Sequence, residues 1–117
     1  PLTVPFPDVK GPEAVKLNIK QPVMIFLPSI GACGLDVVRM PAKTDAKWFS
    51  KWEGDVLAGG LSGQNVTRIR VNDKNEAVER EDILLGHGRV RDVVAGPDGN
   101  IYVVLNGPDE VIRLVPQ

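Results

Sequence analysis

The stretch GNIYVVLNGPDEVIRLV, residues 99–115, lies without a gap on GDVLAGGLSGQNVTRIR, residues 54–70, at an offset of 45 residues. Gly54 meets Gly99, Asp55 meets Asn100 and Val56 meets Ile101; further along, Val66 meets Val111, Arg68 meets Arg113 and Ile69 meets Leu114. One strand upstream, LDVV (35–38) meets RDVV (91–94) at an offset of 56, and the excess of 11 matches an insertion around AKTDAKWFSKW (42–52). A unit of about 45 residues holding roughly four short strands is the size of one propeller blade. Chance likeness of two hairpins is the competing explanation.

Working outward, short apolar runs bounded by Gly, Pro, Asn or Ser fill the chain from Gln21 onward. PVMIFL (22–27), GLDVVRM (34–40), DVLAGGL (55–61), NVTRIRV (65–71), EAVEREDILL (76–85), RVRDVVA (89–95), NIYVVLN (100–106) and EVIRLVP (110–116) are the expected strands. The turns between them have a mechanism. In GPDGN (96–100), Pro97 sets φ near −65°, Asp98 bonds its own downstream backbone and Gly99 supplies a positive φ. NDKNE (72–76) and NGPDE (106–110) are connections of the same kind. The polar TDAKWFSKW (44–52) is the one candidate helix, and a loop fits it equally well. Residues 1–20, with four prolines and no sustained period, read as an extended lead-in.

The fold expected is therefore all-β: antiparallel meanders of four-stranded blades, about two blades of a β-propeller in residues 21–117. Runs 101–105 and 111–115 are mostly apolar on both faces, as suits blades sandwiched between neighbours. A ring takes typically about four to eight blades. Two blades imply either further blades or self-association to cover the open faces.

Composition narrows the function. With 14 Lys and Arg against 15 Asp and Glu, the formal net charge is −1, and no basic block offers a footprint for nucleic acid. No apolar run approaches the roughly 18 residues of a membrane span. The single cysteine, Cys33, excludes an internal disulfide and reads as a small packing residue. His87, between two glycines, reads as a loop residue, and Trp48, Phe49 and Trp52 as an aromatic plug over neighbouring strands. Arg68 and Arg113, and likewise Asp36 and Asp92, sit at matching repeat positions, which points to structural roles.

Arg89 and Arg91 stand apart. They occupy alternate positions where a buried strand begins, so both side chains leave the same face. The repeat does not account for Arg91, whose counterpart is the apolar Leu35. Two readings stay open: a solvated strand end paired with Asp92 or Glu81, or a pair aimed at an anion.

Three segments follow one another in order: QPVMIFLPSIGACGLDVV (21–38), WEGDVLAGGLSGQNVTRIRV (52–71) and GRVRDVVAGPDGNIYVVLNGPDEVIRLVP (88–116). Together they resemble the C-terminal portion of the soluble PQQ-dependent aldose (glucose/sorbosone) dehydrogenases, over about four-fifths of the chain. RVRD followed by GPDGNIYV is the most specific element. The resemblance implies a six-bladed propeller that binds pyrroloquinoline quinone (PQQ) with Ca²⁺ beside it. It also implies oxidation of the anomeric hydroxyl of an aldose by hydride transfer, with electrons passed to an external acceptor. On this reading Arg89 and Arg91 are cofactor-binding residues, in a periplasmic or secreted protein. The family's catalytic histidine and Ca²⁺ ligands belong to earlier blades; His87 does not match that histidine, and a lysine that contacts cofactor in the glucose branch is replaced at about Ser62. These 117 residues are thus expected to be inactive alone. A non-catalytic propeller module and a stable remnant are the alternatives.

Overall fold

A computed structural model describes residue 18, residues 20–45 and residues 47–116. Most of the lead-in expected over residues 1–20 lies outside the described residues. Among the described residues seven strands run in chain order: β1 (Ala32–Val37), β2 (Val56–Gly60), β3 (Asn65–Val71), β4 (Ala77–Leu85), β5 (Arg89–Ala95), β6 (Ile101–Asn106) and β7 (Glu110–Leu114). They form a four-stranded sheet in the order β1-β2-β3-β4 and a three-stranded sheet in the order β5-β6-β7. Every pairing is antiparallel. The sequence repeat is therefore a structural one: β1, β2 and β3 correspond to β5, β6 and β7.

The two sheets pack through a shared apolar core. Leu57 and Val66 of the first sheet meet Val90, Val93, Ile101, Val103 and Leu105 of the second, with Val38 and Phe49 completing the cluster. β5 provides the contact surface, lying against β1, β2 and β3. Close approach depends on Gly59, where an added Cβ would come 2.4 Å from the Cys33 carbonyl oxygen and 2.7 Å from Val90 Cγ1. On β6 the inward face (Ile101, Val103, Leu105) is buried, while Tyr102 and Val104 are half-covered and Val111 of β7 is exposed. The sandwiching expected on both faces is thus realised on one, because within the described residues the second sheet has a neighbour on one side only.

β1 and β5 run side by side in the same direction. The Cys33 thiol donates to the Arg91 carbonyl at 3.1 Å near their starts, and the Ala95 amide donates to Asp36 Oδ2 at 2.8 Å near their ends. Both strands carry an irregularity in register, between Ala32 and Leu35 and between Val90 and Asp92. The matching aspartates also share a local bond: Asp36 Oδ1 accepts from Val37 and Asp92 Oδ1 from Val93. Their recurrence is a blade feature, as expected.

Among its described residues the insertion between β1 and β2 forms no α-helix, only a 3₁₀ turn at Ser50–Trp52. It straps the two sheets together. Thr44 Oγ1 donates to the Asp98 carbonyl, and the Trp48 indole N–H donates to Asn100 Oδ1 at 2.9 Å. Phe49 is buried and stacked on Trp52 at 5.0 Å between ring centroids. The aromatic plug is present, although Trp48 itself is largely exposed.

Arg68 is structural in a way its repeat position only hinted at. Its side chain is buried and bonds Asp55, Glu79 and Glu81, with the guanidinium 5.2 Å from the Trp52 ring centre. Arg70 joins the network through Asp55. Burial pushes the Arg68 pKa down, and the hydrogen bonds it donates to three carboxylates more than offset that, so the group is held firmly charged. Its counterpart Arg113 is exposed.

One expected strand does not form. Residues 22–27 run as irregular chain, with Val23, Ile25 and Leu27 exposed. Pro22 and Pro28 bracket the run and withhold amide donors, and among the described residues β1 pairs with β2 alone. Phe26 instead packs under the Arg80 guanidinium, at 4.6 Å from its ring centre.

Candidate functional site

The topology sorts the connections to two ends. Ala32 pairs with Gly60, Asn65 with Leu85 and Arg89 with Asn106, so the links at 61–64, 86–88 and 107–109 gather at one end of the blade pair. Backbone bonds tie that end together: Gly86 N–H to Gln64 O, Leu61 N–H to Gly31 O and Gly63 N–H to Ile30 O, each 2.9 Å. The strap, residues 42–52, and the GPDGN turn lie at the other end. In that turn Gly99 has φ +83° and Asp98 Oδ1 accepts from the Asn100 amide, as its sequence requires.

Arg89 and Arg91 open β5 at the first end. Val90 between them is fully buried, as is Val93, while both arginines are exposed. Buried positions three apart, where plain alternation would put them two apart, reflect the bulge: Val90 faces Leu105 and Asp92 already faces Val104. The extra residue is Arg91. A bulge re-aims a side chain, and here it leaves both arginines on the face turned away from the core.

Neither arginine is in an ion pair among the described residues, so the expected alternative of pairing with Asp92 or Glu81 is not seen. Asp92 Oδ1 is taken by the Val93 amide, and Glu81 bonds Arg68. Arg91 donates Nη2–H to Asn106 Oδ1 at 3.2 Å, while the Arg89 side chain makes no hydrogen bond among these residues. Asn106 in turn donates Nδ2–H to Asp109 Oδ1 at 3.2 Å, which also accepts the Gly107 amide at 3.1 Å. These two bonds, the backbone one foremost, hold the Asp109 carboxyl below its ordinary pKa. Sequence alone gives Asn106 and Asp109 turn roles only; their reach to Arg91 follows from the β5–β6 register.

His87 and Ser62 are exposed in the loops at this same end. Among the described residues no three His, Cys, Asp or Glu side chains converge as a metal site. No helix of the described residues is long and apolar enough to cross a membrane.

Two antiparallel sheets repeating one strand order around a shared core are two blades of a β-propeller. Residues 8–113 match the glucose/sorbosone dehydrogenase family, and the chain belongs to it. It is 28% identical over 113 residues to the aldose sugar dehydrogenase YliI of Escherichia coli, covering 95% of this chain and 28% of that protein. It is 30% identical over 94 residues to the uncharacterized protein slr1608 of Synechocystis, covering 80% of this chain and 21% of that protein. Among solved structures, a glucose dehydrogenase superposes with a TM-score of 0.69 at 24% identity, covering 84% of this chain and 27% of that one. The soluble aldose sugar dehydrogenase of E. coli in its apo form superposes with a TM-score of 0.61 at 23% identity, over 84% and 27% of the two chains. The chain thus spans about a quarter of the length of the relatives it matches.

Proposed function

We propose that this chain supplies one wall of the cofactor site of a quinoprotein sugar dehydrogenase, with Arg89 and Arg91 as the cationic pair that grips PQQ. The observation that carries the reading is the arginine pair itself. Two guanidinium groups leave one face of β5 at the loop end, and neither is in an ion pair among the described residues. The matching positions of the other blade are Cys33 and Leu35, so the paired charge belongs to this blade and not to the repeat.

The residues fit the group. PQQ is a flat tricarboxylate bearing quinone oxygens, and arginine offers an always-charged planar fork that binds carboxylates bidentately. Bound PQQ would supply the two-electron acceptor for oxidation of an aldose at its anomeric hydroxyl. The part played by this chain is to bind and orient: the arginines hold the anion, and their charge favours the more negative reduced form by fixed electrostatics. No residue of this chain is assigned as the base or as a Ca²⁺ ligand; on the resemblance, both belong to other blades. The sugar substrate, an external electron acceptor and a periplasmic or secreted setting complete the proposal. Membership of the glucose/sorbosone dehydrogenase family supports it.

The test is reconstitution of the complete gene product with PQQ and Ca²⁺, followed by dye reduction with glucose and other aldoses. Cofactor uptake with turnover is the expected result. Neither uptake nor turnover would instead establish a non-catalytic propeller that keeps the framework alone.

A further inference from the structure

We infer that Asn106 and Asp109 are positioning residues for Arg91, so that the two arginines divide the work of anion binding: Arg91 is preset and Arg89 adapts. The inference rests on the reading of Arg89 and Arg91 as the cofactor grip. It names residues and a division of labour which that reading does not contain.

The geometry is a short relay. Asp109 Oδ1 accepts the Asn106 Nδ2–H at 3.2 Å and the Gly107 N–H at 3.1 Å. With its amide group turned in this way, Asn106 presents Oδ1 outward, and that oxygen accepts Arg91 Nη2–H at 3.2 Å. The orientation of the amide is therefore not arbitrary. A carboxylate accepts only, so it must face Nδ2, which leaves Oδ1 for the guanidinium. Arg91 is also restrained at its backbone, where its carbonyl accepts the Cys33 thiol at 3.1 Å. One edge of its fork is thereby occupied by a neutral acceptor, and the remaining N–H groups stay free for a ligand. Arg89, two residues away on the same face, has no such partner among the described residues.

The choice of acceptor matters. A carboxylate at position 106 would neutralise Arg91 and compete with an anionic ligand. The neutral amide fixes the guanidinium while leaving its charge available. Restraining a long side chain before binding removes part of the entropy lost on complex formation, so the relay raises affinity without touching the ligand.

The experiment is a double-mutant cycle on the complete gene product, read as the PQQ dissociation constant by equilibrium fluorescence quenching, with melting of the cofactor-free protein as a control. Asn106→Ala is expected to weaken PQQ binding about tenfold, of the order lost with one oriented hydrogen-bonding group, with unchanged apo melting. In an Arg91→Ala background the same substitution is expected to have no further effect, and in an Arg89→Ala background its full effect. Asp109→Asn, which weakens the hold on the Asn106 amide, is expected to shift affinity in the same direction by less. The relay is overturned if Asn106→Ala leaves PQQ affinity unchanged while Arg91→Ala lowers it, or if it costs the same with and without Arg91. An Arg91→Ala variant that binds PQQ as wild type does, or a wild-type protein that takes up none, sinks the grip reading and this inference with it.

Discussion

Asp36 and Ala95 join the two blades: Asp36 Oδ2 accepts the Ala95 N–H at 2.8 Å while Oδ1 accepts the Val37 N–H at 2.8 Å. One carboxylate thus satisfies an amide in its own strand and another in the neighbouring sheet. Asp36→Ala leaves both amides without this acceptor, and a lost partner of this kind costs about 1–3 kcal/mol. Equilibrium denaturation of wild type and variant should show that loss; an unchanged midpoint would mean that water replaces the carboxylate freely.

Arg68 supports a heavier load. It is 2% exposed, Asp55 is 3% exposed, and the arginine also gathers Glu79 and Glu81. Removing one partner of a buried ion pair typically costs about 3–5 kcal/mol, since the other charge stays buried. Arg68→Ala should lose stability on that scale in urea unfolding, although Arg70 still reaches Asp55. Arg68→Lys should recover little, because one ammonium cannot span three carboxylates as a fork does.

Gly59 sets the spacing between the blades. A methyl group there would press on the Cys33 carbonyl at 2.4 Å and on Val90 at 2.7 Å. Overpacking of a core costs about 1–3 kcal/mol, so Gly59→Ala should melt earlier than wild type. Val90→Ala in the same chain relieves one of the two clashes, and the pair should cost less than the sum of the single changes.

The GPDGN turn carries an acid-sensitive contact. The Tyr102 hydroxyl, then Asn100, donate to Asp98 and hold its carboxyl down to about 2, below the ordinary 3.8. A depressed folded-state pKa contributes stability above the ordinary value that is lost as pH falls through the folded one. Wild type should therefore lose stability between about pH 4 and pH 2. Tyr102→Phe should be less stable than wild type above pH 4, with the gap closing toward pH 2. A gap that stays constant across that range would show that the hydroxyl acts by packing.

Arg89→Ala and Arg91→Ala should each weaken PQQ retention by the complete protein. An arginine that donates to a carboxylate contributes about 1.5–3 kcal/mol, which is roughly tenfold to a hundredfold in affinity. Both side chains are exposed, so the melting temperature without cofactor should not move. Retention equal to wild type in either variant would remove that arginine from the site.

Much of the fold is legible in the sequence alone, because the repeat compares the chain with itself. Gly54 on Gly99 and Ile69 on Leu114 aligned β2–β3 with β6–β7, and the GPDGN and NDKNE turns declared themselves through residues that bond their own backbone. The failure at 22–27 has the same root. An apolar run reads as a strand whether or not a partner edge exists, and here the partner is absent from the described residues. The arginine pair was visible because a charge replaced the apolar Leu35 of the other copy. Its support was not: the contact of Arg91 with Asn106 depends on the β5–β6 register and on a one-residue bulge, neither of which leaves a local mark. The carboxylates around Arg68 left a faint one, since Glu79 and Glu81 alternate on β4 opposite Arg70 and Arg68.

The strap gives the blade pair a mechanical polarity. Thr44 and Trp48 fasten the second blade at the GPDGN turn, at the end remote from Arg89 and Arg91. At the arginine end the blades are joined by the strands themselves, through the Cys33 bond to the Arg91 carbonyl and the close approach of Gly59 to Val90. The seam between the blades is therefore closed along its length, and the arginine face lies outside it.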